Sequence, residues 1–242
     1  MNVLSESPAR TRAGVPWLIG TVVLGLTAIG LFVFGVINDI VWVVVVAIVL
    51  WLVGTVIAIG FYMVQPNQAA VVTLFGDYRG TDRTPGLRLA NPLYRKRKIS
   101  ERVRNFTTET SKVNDSNGNP IEIAAVVVWR VTDTARAVFG VDDFTSYVET
   151  QSESAVRQLA RSYPYDNFED DDVTTLIGDT SEVNEDLLVE LQERASEAGV
   201  EILESRITDL AYAPEIAEAM LRRQQASAIV AARAKIVEGA VL

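Results

Sequence analysis

Four consecutive acids, Glu169-Asp170-Asp171-Asp172, and four consecutive bases, Arg95-Lys96-Arg97-Lys98, are the residues of this sequence best placed by type and spacing to do chemistry. Clustered carboxylates can hold a divalent cation. Adjacent acids without the alternating spacing and glycine of a calcium loop are ordinarily a solvated loop, which here would favour the start of the helical turn that follows. The basic run has a different use. At a membrane surface each such cation contributes about 1 kcal/mol of attraction to anionic headgroups. Away from a membrane the run, with Arg102 and Arg104 close behind, is a solvated loop or strand face.

Catalysis has little to draw on. The chain contains no cysteine and no histidine, which removes disulfides, thiolate sites, the usual zinc sites, Ser-His-Asp and Cys-His triads and imidazole acid–base chemistry. No serine stands in a nucleophile elbow, and no glycine loop is built to cradle phosphate. The expectation is no catalytic residue, no cofactor and no metal. A formal net charge of -9 argues against nucleic acid as a partner, because phosphate binding needs a basic face.

The elements that would position the basic run begin with an apolar block. Between Val15 and Val64 the only ionisable acid or base is Asp39. Val15 to Ile37 and Ile40 to Val64 each reach the ~20 residues that cross a bilayer as a helix. Only Asn38 and Asp39 separate them, so the spacing predicts an antiparallel membrane hairpin; a buried soluble helix pair is the alternative. A cleaved signal peptide would have a shorter apolar centre and a cleavage site of small residues. Arg10 and Arg12 before the hairpin, Arg79 and Arg83 after it, and a connector without positive charge predict both termini on the cytoplasmic side of a cell membrane. Trp17 and Tyr62 are expected near that boundary and Trp42 near the outer one. Ala47, Gly54 and Ala58 put small side chains on one helix face that would admit a neighbouring helix. Gly20, Gly25, Gly30 and Gly35 rotate by about 140° per step and line no seam.

Beyond the hairpin the pattern turns to strands. Gln68 to Phe75 ends at Gly76, Pro85-Gly86-Leu87 opens a short extended piece, and Ile99 to Phe106 alternates. Asn114 to Pro120 is a hairpin turn that leads into the β-branched run Ile121 to Val131. Helical spacing follows from Asp142 to Ser162, with Phe144, Val148, Ala155 and Leu159 on one face and Pro164 as the stop. A second helix runs from Ser181 to Ala198, with Val183, Leu187, Leu191 and Ala195 on its stripe and Gly199 as its cap. Val200 to Leu210 is again extended. Strands gathered early, with helices laid on them, predict an α+β domain with a mainly antiparallel sheet.

The ordered set of local patterns resembles the SPFH domain, or band 7, of the stomatin, prohibitin and flotillin family. Four patches carry the likeness: Val64 to Gly76 with Pro85-Gly86-Leu87; Asp115 to Val131; Ala135 to Arg161, where a strand-like piece leads into a helix holding Arg157 and Leu159; and Gly199 to Met220, with Ile207-Thr208-Asp209-Leu210, Pro214-Glu215-Ile216 and Ala219-Met220. Many relatives have one membrane segment or a shallow hairpin, whereas this chain has two long runs. The resemblance implies a non-enzymatic membrane scaffold that forms large homo-oligomeric rings or cages, organises a lipid microdomain, and often controls a membrane protease or channel. A regulatory subunit bound to such a membrane complex is the alternative.

The chain accordingly divides into a tail (1–14), a two-span hairpin (15–64), an SPFH domain (65–211) and an oligomerisation helix (212–242). In the last, Ile216, Val230 and Val237, with Met220, Ala234 and Val241, fall on two positions of a seven-residue repeat that Arg223 and Ser227 interrupt. Such a seam fits lateral coiled-coil contact between subunits; a helix folded back on its own domain is the alternative.

Overall fold

A segment whose backbone must satisfy its own polar groups in lipid has to be helical, and the two apolar runs of this chain are. The computed structural model describes residues 6–167 and 173–241. In chain order it contains β1 (Arg12–Ala13), α1 (Gly14–Ile37), α2 (Val41–Ile59), β2 (Phe61–Val64), β3 (Gln68–Leu74), β4 (Asp77–Asp82), β5 (Gly86–Leu89), β6 (Arg95–Ser100), β7 (Arg104–Thr107), β8 (Ser111–Asn114), β9 (Pro120–Val131), α3 (Thr134–Phe139), α4 (Phe144–Ser162), α5 (Thr180–Ala195), β10 (Val200–Tyr212) and α6 (Pro214–Val241). The architecture is α+β, with antiparallel strand pairing and a long helix at the C-terminal end. Two units share the chain, Met1–Arg102 with Val131–Gly140 and Val103–Arg130 with Val141–Leu242.

The first unit holds the helical hairpin and two three-stranded sheets, ordered β1-β5-β2 and β4-β3-β6. Strand β5 is the centre of the first. It pairs with β1 through Arg12↔Leu89 and with β2 through Phe61↔Leu89 to Val64↔Gly86, both antiparallel. The second apolar helix therefore stops at Ile59, short of the expected Val64, and the chain changes period from helical to alternating. Tyr62 and Val64 turn inward while Met63 stays exposed. Glycines permit the close approach at both ends of the hairpin. A Cβ on Gly60 would lie 2.5 Å from the Ala90 carbonyl oxygen, and one on Gly14 2.8 Å from the Leu87 backbone. Tyr62, Val64, Ala70 and Ala90 form a small apolar core, with Tyr94 packed against it.

Sequence alternation placed one strand over Ile99 to Phe106; the structure has two, β6 and β7, in different sheets. Glu101 makes the break, because its N–H is taken by the Asn67 carbonyl at 2.9 Å and its carboxylate by Arg83 at 2.6 Å. The strand-like piece expected at Ala135 is instead the helix α3. Asp133 caps it, accepting the Arg136 N–H at 3.0 Å, and a side-chain cap of this kind satisfies a donor that a new helix leaves open.

The second unit is organised by β9, a twelve-residue strand with Ile121, Ile123, Ala125, Val127 and Trp129 all buried on one face. It pairs with β7, β8 and β10. Helix α4 buries Phe144, Val148, Ala155 and Leu159, and α5 buries Val183, Leu187, Leu191 and Ala195, the stripes expected from their spacing. The turn from β8 to β9 is stabilised by the Asp115 carboxylate, which accepts the Asn119 N–H at 2.8 Å and the Tyr165 N–H at 3.1 Å. Gly118 takes a φ of 82° there, and Gly199 caps the end of the α5 region at a φ of 66°, both in the left-handed region that glycine enters without strain.

Candidate membrane anchor and assembly surfaces

Helices α1 and α2 contain 24 and 19 residues, lengths of about 36 and 28 Å at 1.5 Å per residue. Their outward faces are apolar and exposed, from Val15, Ile19 and Leu26 on α1 to Val45, Val49 and Val56 on α2, and the exposed hydroxyls of Thr27 and Thr55 bond carbonyls of their own helix. A continuous apolar surface of this extent needs lipid or protein to cover it. The connector closes tightly: Asp39 has a φ of 55°, the Ile40 N–H bonds the Gly35 carbonyl at 2.9 Å, and the Asn38 amide bonds the Phe34 carbonyl at 2.9 Å.

Small residues seven apart face each other across the hairpin. Ala28 and Gly35 on α1, and Ala47 and Gly54 on α2, are buried, the two alanines at 2 % exposure each. A Cβ on Gly35 would sit 2.9 Å from the Val44 side chain, and one on Gly54 3.6 Å from Leu24. Without small side chains the helices could not approach this closely, and in lipid such packing is what holds helices together. The face expected to receive a neighbouring helix is thus used within the chain at Ala47 and Gly54, while Ala58 is exposed. Gly20, Gly25 and Gly30 have open space around them.

The two ends of the hairpin meet in one sheet, since β1 runs directly into α1 and α2 leads through Gly60 into β2. A buried polar cluster joins them. Asp82 accepts from the Tyr62 hydroxyl at 2.6 Å, from Thr11 Oγ1 at 3.1 Å and from Arg88 Nε at 3.2 Å, and Arg88 Nη2 donates to Thr11 Oγ1 at 2.5 Å. Burial opposes the Asp82 charge, yet hydrogen bonds from Tyr62, the Thr84 backbone and Thr11 outweigh it and hold the carboxyl below its usual range. Burial first, and Asp82 second, push the Tyr62 phenol upward, so it remains a neutral donor. Tyr62, expected near the membrane boundary, lies just past the end of α2 and is part of this cluster. A second tie sits at the surface: Arg83 donates to Glu6 at 3.0 Å and to Glu101 at 2.6 Å, and Glu6 also accepts the Thr134 N–H at 3.2 Å. The backbone of residues 7–9 bonds Thr81 in both directions.

The basic run is strand β6, paired with β3 from Gln68↔Ser100 to Thr73↔Arg95. Alternation gives its members different neighbours. Lys96 reaches the end of α2, donating to the carbonyls of Ile59 at 3.3 Å and Gly60 at 3.0 Å, with its ammonium 5.1 Å from the Tyr62 ring centroid. A cation there satisfies carbonyls that a helix end leaves open and opposes its negative dipole end. Burial lowers the Lys96 pKa. Arg95, Arg97 and Lys98 are exposed. Trp17 and Trp42 lie at opposite ends of the hairpin, both exposed, with the Arg12 guanidinium 5.5 Å from the Trp17 ring.

In the second unit, α6 begins with Pro214 at its first position, where the missing N–H is not needed. Lys112 pairs with Glu215, and Gln224 donates to Asp166 at 3.1 Å. Farther along, Ile229, Val230, Ile236 and Val237 are exposed. Ile216 and Met220 are half-buried. Ala234 and Val241 lie on the same helix, with side chains outside the described residues. Ile229 and Ile236 were not singled out in the sequence, although their spacing of seven repeats that of Val230 and Val237 one position on.

Glu169 to Asp172 lie outside the described residues. Among the described residues no group of three or more acids is arranged to hold a metal ion. Sequence reasoning missed the Thr11–Tyr62–Asp82–Arg88 cluster; the one available signal was a buried-capable Asp and Arg flanking the Thr84-Pro85-Gly86 turn.

Compared with known proteins, the chain matches the family model described as SPFH domain / Band 7 family over residues 62–240. No curated protein gave a match.

Proposed function

Since the chain belongs to the SPFH domain / Band 7 family, we propose that it is a non-enzymatic membrane scaffold, anchored by α1 and α2 and assembled through α6 into a closed homo-oligomer. The observation that carries the reading is the pairing of a long, outwardly apolar hairpin with a helix on which Val230 and Val237 of the seam stand exposed. Exposed Val230 and Val237, seven apart, present the edge of a coiled coil, and a charged helix with such an edge is stable when a second helix covers it. A repeated heterologous contact between subunits closes into a ring when the rotation permits, and a ring anchored at every subunit encloses a patch of bilayer. The enclosed lipids, and a membrane protease or channel held there, would be its partners.

The soluble parts and both termini would lie in the cytoplasm of a cell membrane, following the positive residues beside the hairpin. The tail and the chain leaving α2 share one sheet, which supports a single side for both. The alternative, a regulatory subunit docked in the membrane through Ala47, Gly54 and Ala58, loses most of its surface because Ala47 and Gly54 face α1. Light scattering and negative-stain imaging of protein extracted in mild detergent test the proposal. Large closed particles of this chain alone are expected; a monodisperse monomer would overturn it, and a foreign protein at equal stoichiometry would favour the subunit reading.

A further inference from the structure

We propose that Phe75 and Leu93, at the tips of two adjacent loops of the first unit, insert into the headgroup–acyl boundary of the leaflet beside the hairpin's base and form a second, shallow membrane attachment. The inference rests on the reading of α1 and α2 as membrane-spanning, and the strand directions carry it from there. Leaving α2 at Ile59, the chain moves outward for the four residues of β2, reverses through residues 65–67, and returns along the seven residues of β3. Ala70 on β3 shares a buried apolar cluster with Tyr62 and Val64 of β2, and Lys96, paired with Val72 of β3, reaches the Gly60 carbonyl at 3.0 Å, so β3 runs back to the end of α2. With about 3.4 Å per strand residue, the longer return carries Phe75 to the level of the helix end or past it, toward the bilayer.

Leu93 arrives at the same level by another route. Strand β5 ends beside Phe61, and the Ala90 N–H bonds the Gly60 carbonyl at 3.2 Å. The loop that follows is closed by Tyr94 N–H to the Asn91 carbonyl at 2.9 Å and Leu93 N–H to Asn91 Oδ1 at 3.0 Å, which leaves Leu93 at its tip. Extending the Thr73↔Arg95 register by two residues sets Phe75 opposite Leu93.

Both side chains face out, Phe75 at 88 % and Leu93 at 65 % exposure. Phe75 also holds a φ of 51°, a conformation that glycine or asparagine enters without strain and a bulky residue avoids. A turn that needed only its shape would carry a polar residue there. The surroundings identify the occupant as lipid: Lys96 ties this sheet to the last carbonyls of α2, and Arg95 and Arg97 stand exposed on the same strand next to the tips. An aromatic and an aliphatic tip beside cationic side chains is the composition of an interfacial anchor, which sinks about 5–10 Å into the boundary.

The sequence has no cysteine, so single-cysteine variants of this chain can carry one environment-sensitive fluorophore. Phe75→Cys, Leu93→Cys, Val45→Cys on α2 and Gln65→Cys at the outward turn would be labelled and reconstituted into phosphatidylcholine–phosphatidylglycerol vesicles. Acyl-chain-attached quenchers at shallow and deep positions and aqueous iodide then read the depth of each label. Labels at 75 and 93 should be blue-shifted and quenched most by the shallow lipid quencher, the label at 45 most by the deep one, and the label at 65 by iodide alone. Iodide quenching at 75 and 93 equal to that at 65 overturns the proposal, and so does protection from iodide without lipid quenching, which would mean that protein covers the tips. Lipid quenching at 45 alone sinks the shallow attachment while the membrane anchor stands; loss of it at 45 as well removes the anchor with it.

Discussion

The hairpin and α6 both leave valines and isoleucines exposed, and they do so in opposite chemical settings. Along α1 and α2 the exposed face has no charge from Val15 to Ile59 except Asp39 at the turn, and each helix already has the other as its close partner through Ala28, Gly35, Ala47 and Gly54. Along α6 the exposed apolar side chains alternate with Arg222, Arg223, Arg233 and Lys235, and among the described residues none beyond Gln224 makes a tertiary hydrogen bond. A face with no charge can end in hydrocarbon. A narrow apolar seam set among cations cannot, since each cation buried at the bilayer centre costs about 2.5 kcal/mol or more. This contrast underlies the proposal of lipid as the cover in one region and of another helix in the other.

The comparison breaks first at α6. The double substitution Val230→Glu and Val237→Glu should reduce detergent-extracted particles to single chains by light scattering, while thermal unfolding of each subunit shifts little, because side chains at 68 % and 63 % exposure contribute little to a lone chain. Unchanged particle mass would remove the seam from the assembly.

The next effect belongs to the base of the hairpin. Asp82→Ala leaves the Arg88 guanidinium and the Tyr62 hydroxyl without their buried acceptor, a loss of about 3 kcal/mol in denaturant unfolding monitored by tryptophan fluorescence. The carboxyl is held below its ordinary pKa, so its contribution is fully present above about pH 4 and fades as pH falls through the depressed folded value. Native protein should therefore lose stability in that acid window, and the Asp82→Ala variant should lose less.

Within the hairpin, Gly35→Leu should destabilise by about 1–3 kcal/mol in a detergent unfolding titration, because its side chain would enter space filled by Val43 and Val44. Gly25→Leu, with nothing near it, should be close to neutral. The smallest effect is expected of Lys96→Met, about 0.3–1 kcal/mol, from losing a cation at the C-terminal end of α2.

Periodicity made much of this architecture legible. The apolar runs, the stripes of α4 and α5, the stop at Pro164 and the cap at Gly199 follow from spacing that local geometry enforces, and the order of patches pointed to the family. What stayed hidden depends on contacts distant in sequence. Thr11 and Asp82 are 71 residues apart and belong to no motif, so nothing local marks them as partners. Gly60 ended the second helix early because β5 lies against it, which the apolar character of Phe61 to Val64 concealed. The basic run read as one patch, yet strand alternation gave Lys96 to the helix end and left Arg95 and Arg97 outside.

No spacer lies between apolar helix and folded sheet at either end of the hairpin: Ala13 hands over to Gly14 and Gly60 to Phe61, with β5 bracing both strands. Spans of unequal length, 24 and 19 residues, adapt to bilayer thickness mainly by leaning, and a doubly clamped hairpin cannot lean without turning the sheet it is clamped to. Local thinning or thickening of the membrane would then reach the β1-β5-β2 sheet as a rotation, so that this part of the protein behaves as a stiff lever rather than a tethered float.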